Sequence, residues 1–212
     1  MRGLLIGLVA VLAVLCQPVL AAGSELAEIQ SQWAVANYQL SGDAQEKAFE
    51  NLIAATDAAV KAHPQSAEFW IWDGIVKSSF AGVKGGLGAL SYAKQSRHSL
   101  ERAMQIEDTA LQGSAYTSLG VLYYKVPGWP LGFGNDKKAR QLLTHALEIN
   151  PDGIDPNYFY GDFLLQNGDY DAAEKYLNKA RAAAPRPDRQ LADSGRQREI
   201  EAALAIVKKK KN

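Results

Sequence analysis

Four stretches of this chain end on one offset: AAVKAHP, RAMQIED, HALEINP and KARAAAP place an alanine (Ala59, Ala103, Ala146, Ala180) five residues before Pro64, Asp108, Pro151 and Pro185. Upstream of the last three, a segment with helical apolar spacing carries a glycine on its buried stripe: FWIWDG to Gly74, YTSLG to Gly120 and YFYG to Gly161. Glycine or alanine at such positions lets two helix axes approach closely, and proline stops a helix and turns the chain. A two-helix unit cannot bury its apolar stripe alone, so recurring units must stack. These spacings predict about nine helices and no strand. At 47% apolar and 22% charged residues, the chain has enough material for a packed core and is unlike a disordered or collagen-like sequence.

The last unit, within Ile154 to Pro185, is complete: Gly161, Leu164, Gly168, Tyr170, Ala173, Leu177, Ala180 and Pro185 follow one another at the offsets of a tetratricopeptide repeat, and the stretch resembles that family. The preceding unit matches through Tyr116, Leu119, Gly120, Tyr123, Ala139, Leu143, Ala146 and Pro151 once seven extra residues are allowed between its halves. A third unit around Trp70 and Gly74 has Asp73 and Lys77 where an apolar pair is usual, and Ala81 to Lys94 reads as a second insertion at the same internal turn. Both inserts are then expected on one edge of the stack. Leu26, Ile29, Trp33 and Ala36 begin an N-terminal pair, whose second helix ends at Pro64. Asp188 to Lys211 forms a closing helix with a stripe of Ile200, Leu204 and Val207. The expected fold is an all-α, tetratricopeptide-like solenoid of about four helix pairs plus a C-terminal capping helix. Gly161 is expected to face Ala173, and Ala180 the next helix.

The N-terminus has the layout of an export signal: Arg2, an apolar run from Gly3 to Leu15, then Pro18 and the small residues Ala21 and Ala22. The organisation read from the chain is thus a signal peptide at 1–22, repeats at 23–187 and a capping helix with a basic tail at 188–212. Cleavage leaves a periplasmic protein without cysteine, since Cys16 lies in the signal; an uncleaved segment would instead anchor it to a membrane.

Between two helical segments lies VPGWPLGFG, Val126 to Gly134. It is no phosphate loop, because no Lys-Ser/Thr follows and no strand precedes. Gly132 and Gly134 are expected to permit positive φ. Trp129, Leu131 and Phe133 are expected to fold onto the stack, covering its edge or, with Leu87 and Leu90 of the other insert, walling an apolar ligand or partner site.

No histidine pair has metal-ligand spacing among His63, His98 and His145. NGDYDAAE lacks the glycine and glutamate that a calcium loop needs at its sixth and twelfth positions, Ala172 and Asn178. Asp155 before Pro156 reads as a helix cap. No cofactor motif is present. Basic and acidic residues balance at 23 each, so no global field favours nucleic acid, although the tail is basic and ends in KKKK.

The family resemblance implies a concave groove formed by the first helix of each pair, with Tyr124, Tyr158 and Asp162 as candidate partner contacts. Chaperone-type repeats clamp a C-terminal carboxylate there with Lys and Asn; Thr117, Val121, Asp155 and Phe159 stand at those places, so that clamp is absent. Three functions follow as expectations: an exported protein-binding scaffold, probed through Tyr124 and Tyr158; a carrier of a small apolar ligand, which the export signal and the Gly-rich insert before DKKARQLLTHALEINPD suggest through similarity to the T-component of TRAP transporters; and, least supported, an enzyme, since no nucleophile, base and orienter converge.

Overall fold

The computed structural model describes residues 17–212, with the side chains of residues 17–21 and of Leu87 excepted. The leader expected at 1–22, with Cys16, therefore falls almost wholly outside the described side chains. Among the described residues there are nine α-helices: α1 Gln17–Tyr38, α2 Gly42–Ala62, α3 Ala67–Lys84, α4 Gly86–Ile106, α5 Ala110–Lys125, α6 Asp136–Ile149, α7 Ile154–Gln166, α8 Tyr170–Arg181 and α9 Gln190–Lys211. None is long and apolar enough to cross a membrane.

The repeat is visible as one packing contact made three times. A Cβ on Gly74 would lie 2.6 Å from Leu100 Cγ, one on Gly120 2.7 Å from Leu143 Cγ, and one on Gly161 2.8 Å from Leu177 Cγ. Each glycine thus accepts a fully buried leucine of the partner helix. The leucine stands three residues before the recurrent alanine, and Ala103, Ala146 and Ala180 are themselves inaccessible. Gly161 thus meets Leu177 most closely, and Ala173, expected opposite it, is likewise fully buried on α8.

The insert expected at Ala81–Lys94 is not a loop. It lengthens α3 and α4, and the two helices meet at Gly85 and Gly86, whose φ values of +61° and +57° make the reversal in two residues. Only the second insert leaves the helical layer, so the expected pair of loops on one edge is reduced to one.

Asp73 and Lys77, the polar pair in the weak unit, are buried in α3 and answered in full. Asp73 accepts from Thr56 Oγ1 (2.8 Å), Ser99 Oγ (2.5 Å) and Lys77 Nζ (2.8 Å), and Lys77 also reaches Asp57 at 2.8 Å. Burial pushes the lysine down, but hydrogen bonds to Asp57 and Asp73 outweigh it and hold its pKa above the usual value. Thr56 and Ser99 carry this network to α2 and α4.

The helices form two layers. α2, α4, α6 and α8 lie outside. The inner helices α1, α3, α5 and α7 pack successively on one another, α9 packs on α7, and α9 also packs on α1. The inner layer thus returns on itself through α9, and the groove expected from the repeat pattern is bounded by the last helix. Gly195 of α9 allows the closure: a Cβ there would lie 2.4 Å from the Tyr38 ring of α1. Ile200, Ala203 and Val207 bury the stripe of α9, and Lys211 bridges Asp171 and Glu174 of α8 at 2.6 Å each.

Candidate binding cavity

Inside the ring is a cavity of about 520 Å³ bordered by every inner helix. α1 supplies Gln30 and Trp33; α3 supplies Trp72, Ile75, Ser78 and Ser79; α5 supplies its first turn with Thr117, Ser118 and Val121; α7 supplies Asp155, Pro156 and Phe159; the start of α9 supplies Arg189 and Arg196. The first turn of α5 is bent inward by Leu111 and Gln112, both at positive φ, so that Gln112 accepts from Asn150 Nδ2 at 2.9 Å. Such φ values in non-glycine residues are costly and persist only where neighbours fix them. The four positions that depart from the chaperone clamp, Thr117, Val121, Asp155 and Phe159, all line this cavity.

One wall is aromatic. Trp33 stands edge-on to Trp72 at 5.6 Å and to Tyr38 at 5.7 Å, and its indole Nε1 donates to Ser79 Oγ at 2.9 Å. Another part of the lining is ionic. Asp155 accepts from Arg186 Nη1 at 2.8 Å and from Arg196 Nε at 2.9 Å. Asp193 takes the rest of Arg186, including its backbone N–H at 2.7 Å. Arg196 Nη1 donates to Glu199 at 2.5 Å, and Glu199 receives Tyr38 Oη–H at 3.4 Å. Burial pushes the Asp155 carboxyl up, but Arg196 and Arg186 outweigh it and hold its pKa at about 2. The chain of charges runs from the α8–α9 connection through α7 and α9 to α1, and so fastens the ring where it closes.

Asp155 was expected to cap a helix. Gly153 holds the cap position instead, with Asp155 inside the first turn of α7 and its carboxylate turned to the arginines. Sequence reasoning missed Arg186, Arg189 and Arg196 altogether. The available signal was their register: Arg189, Asp193 and Arg196 continue, in steps of three and four, the stripe of Ile200, Ala203 and Val207.

The residues singled out from sequence are scattered. Tyr124 Oη–H donates to Asp162 at 2.7 Å, and Lys125 pairs with the same carboxylate at 2.8 Å; burial, then the Asp162 charge, raises the Tyr124 pKa well above its usual value. Tyr158 packs under the Arg196 guanidinium (4.4 Å), and burial pushes its phenol up to about 12. Neither tyrosine borders the cavity. Phe133 does fold back, against Tyr123 at 5.5 Å and beneath Arg97 at 4.7 Å. Trp129 and Leu131 do not: they are 90% and 73% exposed. Backbone bonds explain why, since Gly134 N–H donates to Pro127 O and Asn135 N–H to Tyr123 O, pinching off the loop so that its tip projects. Gly132 and Gly134 serve close approach, not positive φ: a Cβ on Gly134 would lie 1.9 Å from Val126 O. Leu90 is half-buried on α4, and the side chain of Leu87 lies outside the described residues.

No curated protein matches the chain. A family model described as tetratricopeptide repeat matches residues 131–193, spanning α6, α7 and α8 with their flanks. The match covers less than half of the chain, and the glycine-to-leucine crossing of its α7–α8 pair recurs in the α3–α4 and α5–α6 pairs.

Proposed function

We propose that this protein is an exported binding protein that encloses a small ligand within its ring of inner helices and meets a protein partner through the loop between α5 and α6. Tetratricopeptide repeats act as interaction scaffolds, and a helical stack of this kind presents surface in place of reacting groups. The observation that carries the ligand half is the contact of α9 with α1, which converts an open groove into a cavity of about 520 Å³. That volume is in the range of small-molecule sites, roughly 300 to 1,000 Å³. It suits a carrier of the kind implied by similarity to the T-component of TRAP transporters better than it suits a groove for a long partner helix.

Trp33 and Trp72 report directly on the cavity. Mass spectrometry of the native protein should find a co-purified small molecule, and a Ser118→Trp variant that fills the space should lose it. A clean spectrum, with no tryptophan response to any small ligand, counts against an enclosed site. The partner half rests on Trp129 and Leu131, which are too apolar to stand free in water without cost. Crosslinking in the native envelope should capture a protein through this loop, and a Trp129→Ser, Leu131→Ser variant should lose it. Export is tested by the mass of the protein recovered outside the cytoplasm, which should begin at Ala22 or Gly23.

A further inference from the structure

Among the described residues, the cavity wall holds one arginine, Arg189, with no carboxylate in hydrogen-bond or ion-pair contact. Arg186 spends its guanidinium on Asp155 and Asp193, and Arg196 spends its own on Asp155 and Glu199. Arg189 lies between them in sequence, is partly buried, and makes no side-chain hydrogen bond or ion pair with any described residue. Its contact is with a ring face: the guanidinium carbon stands 4.9 Å over Trp72. Burial, then the positive charge of Arg186, lowers its pKa, and the charges of Asp155 and Asp193 offset this only in part. Buried guanidinium groups are ordinarily paired, because five donors withdrawn from water must be satisfied.

The neighbouring lining limits what can supply those acceptors. Trp33, Trp72, Ile75 and Phe159 form an apolar floor. Thr117, Ser118 and Gln30 have side chains without hydrogen bonds to any described residue, whereas Ser79 and Ser114 are already engaged. Resting on the reading of this cavity as a ligand site, we infer that it binds a small organic monocarboxylate, its carboxylate forked on Arg189 and its aliphatic or aromatic body against Trp72, Trp33 and Phe159. Arginine is the side chain whose planar fork matches a carboxylate, and stacking on Trp72 holds that fork in place. The anchor comes from the last helix and not from the repeat positions that serve the chaperone clamp, so it owes nothing to that motif.

The test uses the purified protein with hexanoate, benzoate and indole-3-acetate, each paired with its neutral amide, followed by calorimetry and tryptophan emission. At least one acid should bind about 10- to 100-fold more tightly than its amide, the range set by a charge-assisted pair. Arg189→Gln should erase that preference, and Arg189→Lys should restore it only in part. Because the acid-to-amide comparison is made on the unaltered protein, a misfolded variant does not decide the matter. Equal binding of acids and amides, displaced by Ser118→Trp, would overturn the carboxylate assignment while leaving the cavity a ligand site. Binding of a tetrapeptide acid with none of the small acids would also overturn it. No binding of any probe would defeat both readings together.

Discussion

Replacing Asp155 by asparagine removes the carboxylate shared by Arg186 and Arg196 while preserving its size. The depression of its pKa from 3.8 to about 2 corresponds to about 2.4 kcal/mol at full ionisation. The side chain retains 31% of its exposure, so solvent screening brings the expected loss to about 1 to 2 kcal/mol at pH 7. Asp193 and Glu199 still hold one side of each arginine, which keeps the cost below the several kcal/mol of a wholly orphaned charge. The sign with pH follows from the lowered folded-state pKa. The contribution is complete above about pH 5, is roughly halved near pH 3 and vanishes below pH 2. Urea unfolding of both proteins across pH 2.5 to 7 measures it. A variant as stable as the parent at pH 7, or a difference that does not shrink toward pH 3, would refute the assignment of this carboxylate as the clasp of the ring.

Three further outcomes are expected. Gly161→Leu drives a side chain into Leu177, whose backbone nitrogen also lies only 3.2 Å from the new Cβ, and should cost at least about 2 to 3 kcal/mol in thermal or urea unfolding; an unchanged midpoint would contradict the crossing. Lys77→Met leaves Asp73 buried with two hydroxyl donors and no cation, and should destabilise by about 3 kcal/mol at neutral pH, with Asp73→Asn in the same background recovering part of it. Trp129→Ser with Leu131→Ser should leave stability within about 0.5 kcal/mol, because both side chains stand in solvent; a large loss would mean that the loop tip packs after all.

The repeat was legible because its signal is local. A glycine, a leucine and an alanine recur at offsets dictated by one crossing geometry, and Gly74, Gly120 and Gly161 could be found without knowing the fold. The insert at Ala81–Lys94 misled because GVKGGLGAL reads as loop composition, although Gly85 and Gly86 suffice for the turn and their neighbours extend the helices. The loop at Val126–Gly134 was located correctly, but its apolar side chains could not be assigned a direction, since the backbone bonds that expel Trp129 and Leu131 tie residues on both sides of the tip. The cavity was least legible. It exists because α9 returns to α1, and Gly195 against Tyr38 is a contact across most of the chain that no spacing announces. Asp155 was mistaken for a cap for the same reason: its partners Arg186 and Arg196 lie one repeat away.

That return of the last helix to the first can be probed by chemistry at one place. The Cβ position of Gly195 lies 2.4 Å from Tyr38 Cγ, one bond from Tyr38 Cβ, which brings the two Cβ positions within about 4 Å, the span of a disulfide. In a Cys16→Ser background, Tyr38→Cys combined with Gly195→Cys should oxidise rapidly to an intramolecular bond, seen as a faster monomer band on a non-reducing gel and as a single bridged peptide pair in the digest. Free thiols under the same oxidant, or bonds only between molecules, would mean that the two ends stand apart and that no ring encloses the cavity.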